Sequence, residues 1–302
     1  MDYRNLKFTT IDDFKNLRPK KDFFVGLDSD GTVFDSMELK HKDCFIGSLI
    51  RNFELAPIAH EVHFVWNYVN LFSQTRGQNR FKALINTFKC LNKIKKVQNF
   101  GILFPDLHFL NEWIIKSKSL SNESLLGMSQ TIKFEDKKAL ETIIKWSEEV
   151  NEAVKSTVFN LPPMKGAIEA IKIMNPFVDI AVISNTPLEA LYRDWAENKI
   201  LSKVIIVGGQ ETGTKKEMLK CIINKKYDQD KILIIGDSPG DLTAAKSIKA
   251  QFFPIIPKKE ELSWELFNQS YFKYFFEKKY FGNQERDQIN KFNLALNSKP
   301  VW

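Results

Sequence analysis

The sequence predicts an α/β fold in which a doubly wound parallel sheet carries an inserted helical domain. Short, largely apolar runs of strand length recur along the chain, at residues 23–27, 179–183, 204–207, 231–235 and 252–256. Between residues 35 and 160 the apolar residues instead recur at the intervals of amphipathic helices. A chain of 302 residues with 43% hydrophobic residues can build one large core domain or two domains.

Two aspartates directly follow the first apolar run. Asp28 and Asp30 stand in the segment Asp28-Ser29-Asp30-Gly31-Thr32. Residues two apart in extended backbone point to the same face, so both carboxylates are expected on one side of the chain. Two like charges this close are tolerable when a cation lies between them or when one carboxyl group keeps its proton. The simplest occupant is Mg²⁺, which takes a few carboxylates together with water and a substrate phosphate.

A second acidic pair follows the fourth apolar run. Residues 231–235 lead into a glycine-containing turn that carries Asp237 and Asp241. In parallel α/β sheets, ligands bind beyond the carboxyl ends of the strands. Asp237 and Asp241 are therefore predicted to share one crevice with Asp28 and Asp30, although about two hundred residues separate the pairs.

Two more strand ends carry polar groups that suit a phosphate. Ser184-Asn185-Thr186 follows the run 179–183, at a predicted strand-to-helix turn where hydroxyl and backbone N–H groups can meet a phosphate oxygen. Further on, Thr214 is a candidate helix N-cap that places Lys215 and Lys216 in the first turn. We expect one of these lysines in the crevice and prefer Lys215, which is nearer the helix start.

These four elements, taken in order, resemble the motifs of the haloacid dehalogenase-like (HAD) superfamily of hydrolases. The matching elements are Asp-x-Asp-Gly-Thr at 28–32, Ser-Asn at 184–185, a lysine at 215 or 216, and Gly-Asp-x-x-x-Asp at 236–241. Each element alone is a weak match, whereas all four at strand ends or helix starts are a strong one. The resemblance covers about residues 20–35 and 160–257 and implies a Rossmann-like core.

The resemblance implies a role for each carboxylate. Asp28 would be the nucleophile that forms an aspartyl-phosphate, and Asp30 would protonate the leaving oxygen and then activate water. Mg²⁺ would be held by the side chains of Asp28 and Asp237 and by the backbone carbonyl of Asp30, with Asp241 supporting these ligands.

The resemblance also implies how the phosphoryl group is held. Ser184 and the lysine would steady it, and Asn185 would contact the substrate. These roles agree with elementary chemistry, since a carboxylate is a competent covalent phosphoryl acceptor and phosphoryl transfer depends mainly on positioning and charge neutralisation.

The second aspartate, Asp30, narrows the range of reactions that the resemblance implies. Members that cleave carbon–halogen bonds lack an aspartate at the position of Asp30, and those that cleave phosphonates usually carry alanine there. The resemblance therefore implies a phosphoric-monoester hydrolase acting on a small phosphorylated metabolite, or a phosphosugar mutase of the β-phosphoglucomutase type. A phospho-accepting signalling or binding protein is the non-enzymatic alternative.

Simpler structural roles remain open for the same residues. Asp28 and Asp30 could form an ordinary turn after a strand. Asp237 and Ser184 could serve only as helix N-caps, and Asp241 could be a first-turn acid that complements the helix dipole.

The inserted region, residues 36–159, is predicted to be a helical domain that interrupts a core built from residues 1–35 and 160–302. Apolar residues with helical spacing occur at 62–69, at 81–88 and in a longer helix near 135–156. An insertion at this point resembles the C1-type cap of one HAD subclass, which closes over the active site. In the link between two cap helices, Arg76 and Arg80 could clamp a second anionic group of the substrate, or could be ordinary surface arginines.

Composition sets limits on location and partners. The net charge of +7 permits an anionic substrate, but the basic residues are scattered and no nucleic-acid-binding motif accompanies them. The three cysteines are far apart, which suits a reducing compartment. Because there is no apolar signal core and no apolar run of membrane-spanning length, we expect a cytoplasmic protein without a membrane partner. The oligomeric state is left open.

The chain beyond about residue 258 is expected to extend the core. Trp264, Phe267, Tyr271 and Phe275 have the spacing of a helix that packs on the sheet. The final stretch, with Phe281, Phe292 and Trp302, could cover the core, form a dimer contact or stack on RNA. We favour the first because aromatic residues at helical spacing are usually buried.

Overall fold

The structure is a computed structural model that describes residues 7–117, 120–223, 227–296 and 300. Its contacts divide the chain into two compact units. The first, here called the core unit, lies within residues 1–36 and 160–297, and the second, the cap unit, within residues 37–159.

The core unit is built on a five-stranded sheet in which every strand pairing is parallel. The strands are β1 (Phe23–Leu27), β2 (Val178–Ile183), β3 (Ile206–Gly208), β4 (Ile232–Gly236) and β5 (Gln251–Pro254). They lie in the order β3-β2-β1-β4-β5, so the chain moves outward from β1 in both directions. This order confirms the predicted doubly wound sheet and puts its topological switch point between β1 and β4, where such sheets bind ligands.

Burial explains why these runs form strands. β2 and β4 are buried along their whole length, as expected for strands covered on both faces. The third strand is shorter than its apolar run, because the backbone N–H of Val204 is drawn into the preceding turn at Leu201–Lys203. Pairing with β2 therefore begins only after that turn.

Helices cover the sheet of the core unit. Their bounds are Ile11–Asn16, Ala167–Met174, Leu188–Glu197, Lys215–Ile223, Pro239–Ser247, Glu260–Leu266, Phe272–Phe276 and Asn283–Ala295, with one π-helical turn at Phe267–Tyr271. Trp264, Phe267 and Phe275 are buried, so this part of the C-terminal extension does cover the core. In the final stretch Phe292 is buried and Phe281 is exposed, and Trp302 lies outside the described residues.

The cap unit contains helices throughout its described length and none of the five strands. The bounds of its α-helices are Met37–Leu39, Ile46–Asn52, Ala59–Asn67, Arg80–Leu91, Lys95–Asn99, His108–Lys116, Asn122–Leu126 and Lys137–Thr157. Short π turns occur at Lys40–Phe45 and Tyr68–Phe72, and 3₁₀ turns at Ala56–Ile58, Gly127–Gln130 and Phe134–Asp136. A cluster of aromatic rings that includes Phe45, Trp66 and Trp146 forms its interior.

Among the described helices, none combines the length and the apolar character that a membrane crossing requires.

Candidate active site

Three buried carboxylates meet at the carboxyl edge of the sheet. Asp28 follows β1, Asp237 follows β4, and Asp241 lies in the helix that begins at Pro239. One carboxylate oxygen from each residue lies within 4.8 Å of those of the other two. Asp28 of the first predicted acidic pair therefore meets both members of the second pair at the switch point of the sheet, and Asp30 is not part of this cluster.

The segment after β1 is held in place by tryptophans from elsewhere in the core unit. Asp28 still belongs to the sheet ladder, since its N–H donates to Ile235 O at 3.0 Å. The chain then turns tightly, and Trp195 Nε1 donates to Ser29 Oγ at 3.1 Å while Trp264 Nε1 donates to Thr32 O at 2.9 Å. Both indoles are buried, so the loop that carries the aspartates has little freedom to move.

Lys215 supplies the cation of the site. Its helix begins with a reciprocal cap, in which Glu217 N–H donates to Thr214 Oγ1 at 3.2 Å and Thr214 N–H donates to Glu217 Oε2 at 2.9 Å. This cap fixes the first turn, and the Lys215 Nζ then lies 2.9 Å from Asp28 Oδ1 and 2.5 Å from Asp241 Oδ1. Lys216 is exposed, so the geometry favours Lys215 as the lysine of the crevice.

Asp241 contacts Lys215 through Oδ1 and takes part in a helix cap through Oδ2. Its Oδ2 accepts hydrogen bonds from Ser238 N–H at 3.1 Å and Ser238 Oγ at 2.6 Å, which closes a capping box at the helix start. The N-cap is therefore Ser238, and the alternative that made Asp237 the cap is wrong. Gly236 permits this arrangement, because a Cβ at that position would collide with the Asp241 carboxyl group.

Burial strongly favours the neutral form of Asp28. It raises the pKa of this carboxyl group to about 8; the Lys215 ammonium opposes the rise, and the Asp241 and Asp237 carboxylates add to it. For Lys215, burial lowers the pKa, but the charges of Asp241 and Asp28 outweigh that effect and keep the pKa above its usual value. In the absence of further positive charge, these pKa shifts favour a neutral Asp28 beside a charged Lys215.

Asp30 is not one of the three clustered acids, and its carboxylate accepts hydrogen bonds from two hydroxyl groups. Ser36 Oγ donates to Oδ1 at 2.5 Å, and Thr186 Oγ1 donates to Oδ2 at 2.6 Å. The backbone turn after Asp28 explains the difference from the expected extended geometry, since the N–H groups of Thr32, Val33 and Phe34 all point to Ser29 O. Both oxygens of Asp30 are thus fixed by named donors.

The predicted phosphate-binding residues lie at the end of β2. Ser184 is buried, its N–H donates to Gly208 O at 3.0 Å, and its Oγ donates to Thr186 Oγ1 at 3.2 Å. Asn185 is exposed. The hydroxyl groups of segment 184–186 were predicted to meet a phosphate, whereas Thr186 Oγ1 contacts Asp30, and no role was predicted for Ser36 or Ser238. The spacing Ser-x-x-Asp at 238–241 was a usable indication of the capping box, whereas the contacts of Ser36 and Thr186 with Asp30 depend on tertiary structure.

The donor set fits a hard divalent cation. All three converging groups are carboxylates, and oxygen ligands are those that Mg²⁺ prefers. Asp28 Oδ1 is buried and accepts no hydrogen bond of normal geometry among the described residues, although the Lys215 ammonium lies close to it. If all three carboxylates are ionised they carry three negative charges, and Lys215 brings one positive charge to two of them.

Arg76 and Arg80 both lie in the cap unit, where their guanidinium groups make contacts. Arg76 is buried and donates to Leu71 O at 2.8 Å. Arg80 donates to Ser147 O and Ser147 Oγ, both at 3.0 Å, and to Asn151 Oδ1 at 2.7 Å, and it lies over the ring of Phe45. Burial lowers the pKa of Arg80 to about 10. Their contact with substrate stays a prediction, while their contacts within the cap unit give them a structural function.

Comparison with known protein families identifies the chain. The family model of haloacid dehalogenase-like hydrolases matches residues 83–255, which is more than half of the sequence. The chain belongs to the haloacid dehalogenase-like hydrolase family. The matched segment includes Ser184, Lys215, Asp237 and Asp241 and begins after Asp28.

Solved structures of HAD proteins are also similar to this chain. A haloacid dehalogenase-like family hydrolase from Streptococcus pneumoniae is 10% identical, with 80% of this chain and 90% of that chain covered and a TM-score of 0.42. A HAD-superfamily hydrolase of subfamily IA from Geobacter sulfurreducens is 15% identical, with 78% and 88% covered and a TM-score of 0.38. One from Xanthomonas campestris is 12% identical, with 78% and 83% covered and a TM-score of 0.40. No curated protein matches this sequence.

Proposed function

We propose that this HAD-family hydrolase is a magnesium-dependent phosphoric-monoester hydrolase that acts on a small phosphorylated metabolite through an aspartyl-phosphate on Asp28. The observation that carries the proposal is the meeting of Asp28, Asp237 and Asp241 with Lys215 at the switch point of the sheet. One buried carboxylate with a lysine and two further acids beside it is the arrangement that phosphoryl transfer to a carboxylate needs.

In the first step, a carboxylate oxygen of Asp28 attacks phosphorus. The new bond joins that oxygen to phosphorus, and the bond between phosphorus and the ester oxygen breaks. Asp30 gives a proton to the departing oxygen, which therefore leaves as an alcohol. Lys215 Nζ, 2.9 Å from Asp28 Oδ1, would neutralise charge on the phosphoryl group. When substrate binds, the Ser184 hydroxyl would turn from Thr186 Oγ1 and donate to one of the phosphoryl oxygens.

In the second step, Asp30 takes a proton from water, and the water oxygen attacks phosphorus. The bond to Asp28 breaks, inorganic phosphate leaves, and both aspartates return to their starting forms. Hydrolysis is thereby divided into two transfers that use the same phosphoryl position.

Asp28 and Asp237 would hold the metal ion with their side chains and Asp30 with its backbone carbonyl, while Asp241 supports the cluster. Bound Mg²⁺ supplies the positive charge that favours ionised Asp28 and offsets the charge of the phosphate. Lys215 contacts both Asp28 and Asp241, so its single positive charge is shared between two acids.

The position of Asp30 favours an enzyme over a phospho-accepting binding protein. A protein that only accepts phosphate needs no acid and base beside the acceptor. Here both oxygens of Asp30 are fixed by hydroxyl donors from Ser36 and Thr186, which is the kind of positioning that proton transfer requires.

The test is a metal-dependent turnover assay with matched variants. Hydrolysis of p-nitrophenyl phosphate is expected with Mg²⁺ and not with excess EDTA. Asp28→Asn should abolish turnover while circular dichroism shows the fold intact, and Asp35→Asn, which changes an exposed aspartate of the same segment, should retain it. Wild-type rates in Asp28→Asn would end the proposal.

A further inference from the structure

Thr186 connects two of the groups in the site. Its Oγ1 donates to Asp30 Oδ2 at 2.6 Å and lies 3.2 Å from Ser184 Oγ. Its backbone N–H donates to Ser184 Oγ at 3.3 Å. Thr186 is buried, with 8% of the residue's surface exposed. One small residue therefore contacts both Asp30 and Ser184.

The single hydroxyl proton fixes the direction of this network. A threonine hydroxyl has one hydrogen to donate and two lone pairs that accept. Asp30 Oδ2 is a carboxylate oxygen and lies at the shorter distance, so it accepts the hydrogen bond from the Thr186 hydroxyl. Ser184 Oγ must then donate to Thr186 Oγ1. The hydrogen bonds run from Ser184 to Thr186 to Asp30.

The backbone of Thr186 is held from the other side by the turn after β3. Gln210 N–H donates to Thr186 O at 3.0 Å. The preceding residue in that turn is Gly209, where a Cβ would lie 2.7 Å from Thr186 O, closer than real Cβ contacts come. Only glycine lets the turn approach this closely. Thr186 is thus fixed at its carbonyl, its amide and its hydroxyl.

From this geometry we propose that Thr186 is a positioning residue for Asp30. Its hydroxyl sets the orientation of the carboxylate that delivers a proton to the leaving oxygen. The inference rests on the proposed function, because it assumes that Asp30 is the acid of the reaction. Ser36 Oγ donates to Oδ1 of Asp30 and Thr186 Oγ1 to Oδ2, so loss of the Thr186 hydroxyl removes the hydrogen bond that orients Oδ2.

A misplaced proton donor has a characteristic kinetic consequence. An ester with a good leaving group, such as p-nitrophenyl phosphate, departs without a proton, whereas an alkyl phosphate needs one at its oxygen. Loss of the Thr186 hydroxyl should therefore slow alkyl phosphates much more than p-nitrophenyl phosphate. A merely structural threonine would slow both to the same degree.

The experiment measures kcat/KM of the Mg²⁺-loaded protein for p-nitrophenyl phosphate, phenyl phosphate and a primary alkyl phosphate. For Thr186→Val we expect the alkyl rate to fall roughly tenfold or more beyond the p-nitrophenyl rate, within the range that general acid catalysis contributes. Thr186→Ser keeps the hydroxyl and should show the wild-type ratio of kcat/KM for the alkyl phosphate to kcat/KM for p-nitrophenyl phosphate. Thr186→Ala gives the same comparison without a methyl group beside Asp30, should the valine variant fold poorly.

The matched control is Thr212→Val. Thr212 is also buried, donates to Thr9 O at 2.9 Å and accepts from Gly209 N–H at 3.1 Å. Its replacement alters the turn beside Thr186 but keeps the Thr186 hydroxyl, so it should change stability and leave the ratio of alkyl to p-nitrophenyl rates unchanged. Equal slowing of all three esters in Thr186→Val, or the same change of ratio in Thr212→Val, would overturn the inference. A wild-type protein with no magnesium-dependent hydrolysis would instead overturn the proposed function.

Discussion

The ammonium of Lys215 bridges Asp28 and Asp241, with its Nζ 2.9 Å from Asp28 Oδ1 and 2.5 Å from Asp241 Oδ1. The two acids come from different segments, one after β1 and the other from the helix after β4. Each of the three side chains is at least nine-tenths buried. Removing one partner from such a cluster leaves the others as uncompensated buried charges, which is strongly destabilising.

Replacing Lys215 with methionine should therefore damage both stability and turnover. In the metal-free protein we expect Lys215→Met to lower the free energy of unfolding by about 3 kcal/mol, and in the Mg²⁺-loaded protein to lower kcat/KM roughly a hundredfold. Urea unfolding and a phosphatase assay measure the two effects. Lys216→Met is the matched control, since Lys216 is exposed and next in sequence, and it should stay close to wild type in both. The reverse pattern would assign the role in the site to Lys216.

The raised pKa of Asp28 predicts a pH dependence of stability in the metal-free protein. Asp28 has a pKa of about 8 in the folded state, because burial and the neighbouring acids outweigh Lys215, against 3.8 for the ordinary group. Between pH 3.8 and about 8, the folded protein therefore binds more protons at Asp28 than the unfolded chain does. The stability that Asp28 contributes is complete below pH 3.8 and is lost as the pH rises toward about 8.

Asp28→Asn removes this titration. The free energy of unfolding of the variant should therefore rise relative to that of the wild type as the pH increases over the same range. Urea unfolding in EDTA at several pH values from 4 to about 8.5 measures this difference. Asp35→Asn, at an exposed site, should follow the wild type throughout. A constant gap between Asp28→Asn and wild type would show that Asp28 is ionised in the folded protein.

The sheet and its acidic edge were predictable because both depend on short stretches of sequence. β1 was predicted at residues 23–27, where it occurs, and the acids Asp28 and Asp237 lie directly beyond strands whose parallel pairing brings their ends together. Lys215 could be preferred from its place at a capped helix start. These features follow from local patterning and from a general rule about parallel sheets.

The orientation of Asp30 could not be predicted, because it depends on partners that local sequence does not reveal. Thr186 lies 156 residues from Asp30 in the chain, and the hydrogen bond exists only because β1 and β2 are neighbours in register. The contacts of Asp241 were likewise only partly predictable from the sequence. Its capping bond to Ser238 is local, whereas its contact with Lys215 depends on how two helices meet the sheet.

Gly236 gives a test of the carboxylate cluster that changes no charge. A methyl group there would collide with the Asp241 carboxyl group, which is held by Ser238 and Lys215 and cannot easily move. We expect Gly236→Ala to lower the free energy of unfolding by about 1–3 kcal/mol, as overpacking usually does, and to weaken Mg²⁺ binding measured by calorimetry. Gly127→Ala, where a Cβ would meet no atom within 4 Å, should change neither quantity. Unchanged Mg²⁺ affinity in Gly236→Ala would show that the position of the Asp241 carboxyl group does not affect Mg²⁺ binding.

Arg80 tests whether the cap unit contributes to substrate choice. Its three hydrogen bonds to Ser147 and Asn151 link two cap helices, so Arg80→Ala should lower the melting temperature. If the guanidinium also clamps an anionic group of the substrate, the variant will lose discrimination among phosphorylated metabolites while still hydrolysing p-nitrophenyl phosphate. Arg76→Ala is compared in the same assay, and Arg286→Ala, at an exposed position of the core unit, is the control. Unchanged kinetics on the preferred substrate would reject the clamp.

The fate of the phosphoryl group distinguishes a hydrolase from a mutase. Both reactions use Asp28 as acceptor and Asp30 as acid, and they differ only in whether water or a sugar hydroxyl takes the phosphoryl group in the second step. We expect a panel of phosphorylated metabolites, incubated with enzyme and Mg²⁺, to release inorganic phosphate in an amount equal to the substrate consumed. Phosphorus NMR of the same mixture would detect an isomerised sugar phosphate directly. Substrate consumed without free phosphate would make the protein a mutase. Consumption of a single equivalent of substrate per protein molecule, with the alcohol released and the phosphoryl group retained on the protein, would make it a phospho-acceptor, because an enzyme that hydrolyses its aspartyl-phosphate turns over repeatedly.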